Sequence, residues 1–277
     1  MIDGFKQYLV SEGKSSNTIS SYLRHLEGYA KWYRDSYGSD LNILYRANIL
    51  DYISYLKNIK KDNAKTINAK LSALCKLNEY LMNTSVQESI VITSKDFIKV
   101  QGQFASPCTA SKKDVEAFRQ RILEQESKRD YAIVTIMAYA GLRVSEVLDL
   151  RSNDVDLVSR EIVVRGGKGD KQRIVYANDK IVNSIKEYLK ERDSESEYLF
   201  VSRQSERINR TRINQIFNKH SKVITPHVLR HFFCTNAIEA GYSIHEVANQ
   251  AGHSNIHTTL LYTNPSKEKM KEKANLL

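Results

Sequence analysis

The most constraining feature of this sequence is the segment YAIVTIMAYA, residues 131–140, which is apolar on nearly all of its sides. A helix without a polar face has to be buried, so this segment predicts a central helix with other elements packed around it. Gly141 follows directly, at the position where a glycine commonly ends a helix. Arg143 is therefore expected to emerge from the core of the fold.

The first part of the chain shows the periodicity of amphipathic helices, with apolar residues such as Ile2, Phe5 and Leu9 three and four positions apart. The same pattern predicts helices over residues 48–56 and 64–81. The helical period then fades, and Gln, Gly, Ser and Pro collect as they do in linkers. A chain of 277 residues is long enough for two domains. We predict a helical bundle over 1–85, a linker over 86–108 and a second domain over 109–277.

The second domain is predicted to be helical with one β-hairpin. Ser111 and Asp114 have the spacing of a capping box at the start of a helix. Further on, EIVVRGGKGDKQRIVYA alternates β-branched residues on both sides of a glycine-rich turn, which predicts a hairpin with Lys168 at or near its tip. Helices return over residues 178–191, 211–220, 227–240 and 243–250. The fold class is therefore mainly α with a small β-sheet.

The charge of the chain favours a polyanionic partner. Its 42 Lys and Arg residues exceed its 32 Asp and Glu residues, giving a formal net charge of +10, and both halves contribute to the excess. A basic protein without such a partner is the alternative. Cys75, Cys108 and Cys234 include no Cys-x-x-Cys pair and suit neither a disulfide framework nor a zinc site. With no apolar run of the roughly 20 residues that span a membrane, we expect a cytoplasmic protein. The histidines have no cysteine or carboxylate at ligand spacing, so no bound metal is expected.

Six residues carry side chains that are suited to cutting a phosphodiester. That reaction needs a nucleophile, an acid for the leaving oxygen, and cations around the phosphorane. The candidates and their motifs are Arg143 in GLRVSE, Lys168 in GGKGDKQR, His227 and Arg230 in HVLRH, His253 in AGHS and Tyr262 in TTLLYT. The series as a whole, more than any one member, indicates the chemistry.

Each candidate also has an ordinary structural interpretation when it is taken alone. Tyr262 is one of 16 tyrosines, and most tyrosines pack rather than react. His227 would also suit the start of a helix after Pro226, and Arg230 could pair with Glu239. The remaining histidines of this region, His231, His245 and His257, have no role in any motif that we identify.

These motifs resemble those of the tyrosine recombinase, or phage integrase, family. GLRVSE is similar to the family's first arginine motif, HVLRH to its His-x-x-Arg motif, and AGHSNIHTTLLYT to its closing segment. The resemblance covers Ser111 to Tyr262, and the preceding block is similar to the family's SAM-like core-binding domain. His253 stands nine residues before Tyr262, as in the family pattern, whereas Ala251 replaces a more usual leucine.

The resemblance implies a role for each candidate. Arg143 and Arg230 would clamp the scissile phosphate, and Lys168 would be the general acid for the departing 5′ oxygen. The remaining roles would be deprotonation of the tyrosine by His227, a phosphate contact by His253, nucleophilic attack by Tyr262 and support of the first arginine by Glu146. Such a reaction forms a 3′-phosphotyrosyl link and requires no metal, ATP or other cofactor.

The resemblance also implies partners. The substrate would be double-stranded DNA with inverted-repeat core sites. The protein would be a monomer when free and a homotetramer on DNA, with a tail helix over 265–277 docking on a neighbouring subunit. The chain begins almost at once with core-binding helices, which favours the simple two-domain type, similar to transposon or chromosome-dimer resolvases. The alternatives are a type IB topoisomerase, which rejoins the original strand, and a DNA-binding protein without catalysis.

Overall fold

The computed structural model describes residues 2–100, 110–166, 172–202, 205–253, 255–260 and 274–275. The chain forms two compact units, Met1–Gly102 and Gln103–Leu277. Among the described residues, no helix combines the length and the apolar character needed to cross a membrane.

The first unit is a helical bundle, as the periodicity predicts. Its helices are α1 (Ile2–Ser11), α2 (Ser16–Tyr37), α3 (Arg46–Asn58) and α4 (Ala64–Asn83). Local capping fixes two of the starts, since the side chains of Ser15 and Asn63 accept hydrogen bonds from the backbone amides of Thr18 and Thr66. The apolar faces of the four helices meet in one core that includes the fully buried Phe5.

Part of the predicted linker over 86–108 packs on this first bundle. Val91 and Ile92 are buried in its core, and the side chain of Asn78 accepts a hydrogen bond from the amide of Val91 at 2.8 Å. Arg46 forms a bidentate ion pair with Asp96. Residues 86–100 therefore belong to the first unit, because apolar contacts and side-chain hydrogen bonds hold a segment that lacks helical periodicity. Residues 101–109 lie outside the described part of the chain.

The second unit is built around the helix that the apolar segment predicts. This helix, α6 (Lys128–Ala140), is preceded by α5 (Lys112–Gln125), whose capping box of Ser111 and Asp114 is present as predicted. Gly141 ends α6 with a φ of 64°. The remaining helices are α7 (Val144–Leu148), α8 (Asp179–Leu189), α9 (Arg210–His220), α10 (Pro226–Glu239), α11 (Ile244–Ala251) and α12 (His257–Leu260).

A small antiparallel sheet completes the second unit. Its strands are β1 (Val155–Asp156), β2 (Glu161–Val164) and β3 (Arg173–Tyr176), in the order β1-β2-β3. The strands β2 and β3 form the predicted hairpin, with Val164 opposite Arg173 as the pair nearest the connection. The fold is thus mainly helical with one small sheet, which confirms the predicted fold class.

Candidate active site

The first arginine of the series is fixed to the helix that it precedes. Arg143 is the N-cap residue of α7, and its backbone amide donates to Glu146 Oε2 at 2.7 Å. Its guanidinium donates to Glu146 Oε1 at 2.8 Å. The end of α6 at Gly141 and the start of α7 thus fix the position of the Arg143 backbone. Glu146 accepts hydrogen bonds from the Arg143 amide and guanidinium and so restrains the direction of the side chain.

A second arginine, which the sequence analysis did not select, binds the same carboxylate. Arg173 on β3 donates from Nη1 to Glu146 Oε1 at 3.0 Å and from Nη2 to Glu146 Oε2 at 2.9 Å. Burial would raise the pKa of Glu146, but the hydrogen bonds from Arg173 and the Arg143 amide outweigh it and hold this pKa below its usual value. Glu146 is therefore ionised at neutral pH.

A sequence signal for Arg173 does exist. Side chains alternate between the two faces of a strand, so Arg173 lies on the same face of β3 as the buried Val175. An arginine at an inward position of a predicted strand requires a buried acceptor, and Glu146 provides one.

Three arginines meet at the C-terminal end of α11, and we call Arg143, Arg173 and Arg230 the arginine cluster. Each donates to a different one of three consecutive backbone carbonyls: Arg173 Nε to Gln250 at 3.0 Å, Arg230 Nη2 to Ala251 at 2.5 Å and Arg143 Nη2 to Gly252 at 2.7 Å. The last carbonyls of a helix have no amide partner within it and carry a partial negative charge, so they suit guanidinium donors. The end of α11 therefore gathers the cluster.

Arg230 is more deeply buried than Arg143, the other predicted arginine. It is 7% exposed, and its Nη1 also donates to the carbonyl of Gly141 at 2.6 Å. Burial, and then the nearby charge of Arg143, lower the pKa of Arg230 to about 10. Arg230 remains protonated at neutral pH and ties the end of α6 to the end of α11.

The two predicted histidines have different surroundings. His253 is half-buried next to the arginine cluster, and its Nδ1 lies 2.8 Å from Oγ1 of the buried Thr259. Burial, followed by the charges of the arginines, lowers the pKa of His253 to about 4, so its ring is neutral at pH 7. His227 lies in the first turn of α10, and its Nε2 lies 2.9 Å from Nε2 of His231, one turn further along.

Two of the predicted site residues cannot be compared with the geometry. Lys168 and Tyr262 fall in residues 167–171 and 261–273, outside the described part of the chain. The predicted tail helix over 265–277 also lies outside it, except for Ala274 and Asn275. Among the candidates that are described, the fold brings Arg143, Glu146, Arg230 and His253 together, with His227 on the same helix as Arg230.

The first unit carries a separate basic pocket, formed between α2, α3 and the start of α4. It has a volume of about 380 Å³ and is lined by cationic and aromatic side chains. We call it the basic pocket; its cationic and aromatic lining is Arg24, His25, Lys31, Trp32, Tyr52, Tyr55, Lys60 and Lys70. Burial, and then the charges of Arg24 and Lys70, lower the pKa of His25 in this pocket.

Comparison with known proteins decides the family. The phage integrase family matches residues 109–269, and the N-terminal SAM-like domain of phage integrases matches residues 2–85. The chain belongs to the phage integrase family. It is an enzyme of the tyrosine recombinase type, whose activity is site-specific DNA recombination, and this confirms the resemblance that its motifs indicate.

Relatives match this tyrosine recombinase over nearly its whole length. The TnP I resolvase of Bacillus thuringiensis is 53% identical over 99% of this chain and 98% of its own. Tyrosine recombinase XerA of Thermococcus kodakarensis is 31% identical over 100% of this chain and 96% of its own. Among solved structures, the Tn1549 transposon integrase in complex with transposon right end DNA has a TM-score of 0.71 at 20% identity, covering 99% of this chain and 98% of that one. This last likeness shows the shared fold.

Proposed function

We propose that this tyrosine recombinase cuts and rejoins DNA strands through a covalent 3′-phosphotyrosyl intermediate on Tyr262. The observation that carries the proposal is the arginine cluster at the end of α11, since a cluster of fixed guanidinium groups beside His253 is suited to a phosphate that gains negative charge. The side chain of Arg143 is 41% exposed, so part of its guanidinium remains accessible to a substrate.

In this mechanism Arg143 and Arg230 bind the non-bridging oxygens of the scissile phosphate. Their anchoring on backbone carbonyls means that little reorganisation is needed when the five-coordinate phosphorane forms. His253 is neutral, with a pKa of about 4 in the free protein, so it offers a ring nitrogen to the phosphate without adding a further charge to the cluster. Glu146 supports Arg143 and balances part of the positive charge.

The bond changes balance without a further reactant. The Tyr262 oxygen attacks phosphorus while the bond from phosphorus to the 5′ oxygen breaks. The tyrosine proton passes to His227, and Lys168 gives a proton to the departing 5′ oxygen. The phosphotyrosyl bond retains the energy of the broken phosphodiester, so neither ATP nor a metal ion is needed. Attack by a 5′ hydroxyl, from the same or a partner strand, reverses the step and releases Tyr262.

We further propose that both units grip double-stranded DNA at inverted-repeat core sites. Residues 1–85 would form the core-binding domain, and 109–277 the catalytic domain with its tail helix over 265–277. The stretch 86–108 would lead from one to the other, with 86–100 packed on the first bundle. The SAM-like match and the basic pocket support a role of the first unit in holding the DNA backbone. Four subunits would join two such sites, each tail docking on a neighbour. The relative named TnP I resolvase, which is 53% identical, supports a recombinase that acts at paired sites.

A covalent-capture experiment tests the proposal and identifies the DNA site at the same time. A library of duplexes with randomised arms carries a nick just 3′ of the cleavage position, so that the short 5′-hydroxyl fragment diffuses away and the adduct is trapped. We expect the wild-type protein to form a detergent-resistant adduct on an enriched sequence, and Tyr262→Phe to form none. Adduct formation by Tyr262→Phe would assign the nucleophile to another residue.

The enriched sequence then separates recombination from strand relaxation. A plasmid carrying two copies of it is incubated with the protein. Products that join the two copies support a recombinase, whereas altered supercoiling without joined products is the result expected of a type IB topoisomerase. If the wild-type protein forms no adduct on any sequence, the phosphotyrosyl mechanism is excluded.

A further inference from the structure

We infer that Arg173 is a positioning residue for Arg143, acting through Glu146 and the end of α11. The inference rests on the proposed function, in which Arg143 binds the scissile phosphate. Arg173 lies on β3, and its side chain is 14% exposed, compared with 41% for Arg143. Within the described part of the chain, its side chain donates three hydrogen bonds. Two go to the Glu146 carboxylate, which also accepts from Arg143, and one goes to the Gln250 carbonyl, two residues before the Gly252 carbonyl that accepts from Arg143.

The first of these groups is the Glu146 carboxylate. Oε1 accepts from Arg143 Nη1 at 2.8 Å and from Arg173 Nη1 at 3.0 Å, while Oε2 accepts from the Arg143 amide at 2.7 Å and from Arg173 Nη2 at 2.9 Å. Each oxygen is thus shared between the two arginines. The bidentate fork of Arg173 fixes the plane of the carboxylate, and that plane fixes the direction in which Arg143 can donate.

The second group is the end of α11. Arg173 Nε donates to the carbonyl of Gln250, two residues before the Gly252 carbonyl that accepts from Arg143 Nη2. The structure therefore assigns to one side chain a direct contact with Glu146, one acceptor of the Arg143 guanidinium, and a contact with the helix end that carries the other acceptor, Gly252. Fixing a long, partly exposed arginine costs side-chain conformational entropy, so rigid acceptors matter for its pre-organisation.

Gly252 gives independent support for this close contact. Its φ is +67°, and a Cβ atom added there would lie 2.7 Å from both Cζ and Nη1 of Arg173. The backbone at the end of α11 thus lies close to the Arg173 guanidinium, and the positive φ together with this contact favours glycine at position 252. The interface between β3 and the α11 end is built around Arg173.

The first unit offers a matched control. Arg46 also forms a bidentate pair with a buried carboxylate, that of Asp96, at 2.7 and 2.6 Å, and also donates to a backbone carbonyl, that of Val91, at 2.9 Å. Replacing Arg46 removes a similar set of hydrogen bonds from a region that the proposed chemistry does not use. At saturating DNA, the cleavage rate of Arg46→Gln therefore reports the effect of reduced stability.

The test compares Arg173→Gln, Arg173→Lys and Arg46→Gln in the full-length protein on the trapped duplex. Single-turnover cleavage is measured at saturating DNA, with the dissociation constant and the thermal unfolding temperature measured alongside. We expect Arg173→Gln to cleave about 10- to 100-fold more slowly, the range that a misplacement of about 1 Å can cause. DNA affinity should change less than about threefold, and Lys should not restore the rate because it lacks the planar fork. Arg46→Gln should lower the unfolding temperature and leave the cleavage rate of the folded protein unchanged.

A double-mutant cycle with Glu146→Gln separates an indirect role from a direct one. If Arg173 acts through Glu146, Arg173→Gln should slow the Glu146→Gln variant by less than about threefold, because contacting partners are non-additive. Fully additive effects would assign Arg173 to a separate substrate contact and overturn the inference. A wild-type cleavage rate in Arg173→Gln, or equal slowing by Arg46→Gln, would overturn it as well.

A measurement on the free protein keeps the inference apart from the proposed function. Nitrogen-15 relaxation of the Arg143 Nε group should show a less ordered side chain in Arg173→Gln than in the wild type, whether or not DNA is cleaved. An unchanged Arg143 order parameter would contradict the positioning role. A missing covalent adduct in the wild type with a loosened Arg143 in the variant would contradict only the proposed chemistry.

Discussion

The basic pocket of the first unit and the arginine cluster of the second both gather cations around a histidine, but they hold these cations differently. Arg24 and Lys31 in the pocket are exposed side chains on α2. In the cluster, each guanidinium donates to one backbone carbonyl at the end of α11. The exposed pocket side chains can therefore change conformation when a partner binds, whereas the guanidinium groups of the cluster are held in position before binding.

This difference corresponds to two ways in which a positive charge can act on a phosphate. Exposed lysines and arginines gain affinity by releasing counterions, which depends on charge and only weakly on geometry. Stabilising a phosphorane depends on donors that already point to the developing charge. Geometry should therefore matter strongly in the cluster and weakly in the pocket. Substitutions that change geometry and charge separately test this difference.

The largest effect is expected for Arg230→Lys, which keeps the charge and removes the fork. Lysine lacks the planar pair of donors that reach the carbonyls of Gly141 and Ala251. We expect the single-turnover cleavage rate to fall about 100-fold or more, as for the loss of a pre-organised donor in other active sites. The matched change Arg24→Lys in the basic pocket should alter DNA affinity less than about threefold. If the loss of DNA affinity in Arg24→Lys were as large as the loss of cleavage rate in Arg230→Lys, the two regions would not differ in their dependence on geometry.

A smaller effect is expected when charge is removed from the pocket. Arg24→Ala together with Lys31→Ala should weaken DNA binding about tenfold. The negative slope of log affinity against log salt should become shallower by about 1 for each phosphate that is no longer neutralised. The cleavage rate at saturating DNA should stay at the wild-type value. Lys6→Ala, an exposed change on α1 outside the pocket lining, is the control. A salt slope equal to that of wild type would show that the pocket does not contact the DNA backbone.

The smallest effect concerns the histidines of the two regions. The folded protein lowers the pKa of His253 from 6.5 to about 4, so only the unfolded chain binds a proton between these values. The stability that His253 contributes is therefore complete above pH 6.5 and is lost as the pH falls toward about 4. Urea unfolding should show a shallower decline over this window for His253→Gln than for wild type, with His25→Gln changing the slope in the same direction. An NMR titration midpoint of His253 near 6.5 would contradict the expected burial among the arginines.

Much of the scaffold could be predicted because it depends on neighbours in the sequence. The apolar segment is the buried helix α6, Gly141 ends it, and Ser111 with Asp114 caps α5. The packing of residues 86–100 on the first bundle could not be predicted in the same way. This segment is held by side-chain hydrogen bonds such as those of Asn78, and such bonds have no period along the chain.

The residues of the candidate site could likewise be predicted only in part. The motifs selected Arg143, Glu146, Arg230 and His253, which the fold brings together, and they predict Lys168 and Tyr262, which stay predictions. Arg173 lacks a motif of this kind, and its role is visible only once β3 lies against α11. His231 has no motif role either, although its position four residues after His227 on a predicted helix allows their contact.

The sequence alone was enough to predict the main helices, the β2–β3 hairpin, the helix end at Gly141 and the order in which the proposed phosphate-binding side chains occur. These properties follow from periodicity, caps and residue chemistry, which act over a few positions. Only the tertiary structure decided that the arginines share the end of α11. Arg143 and its acceptor Gly252 lie 109 residues apart, and Arg230 and Gly141 lie 89 apart. Such pairings depend on how helix ends and strands pack in three dimensions, and a local pattern carries no information about which distant carbonyl a guanidinium will reach.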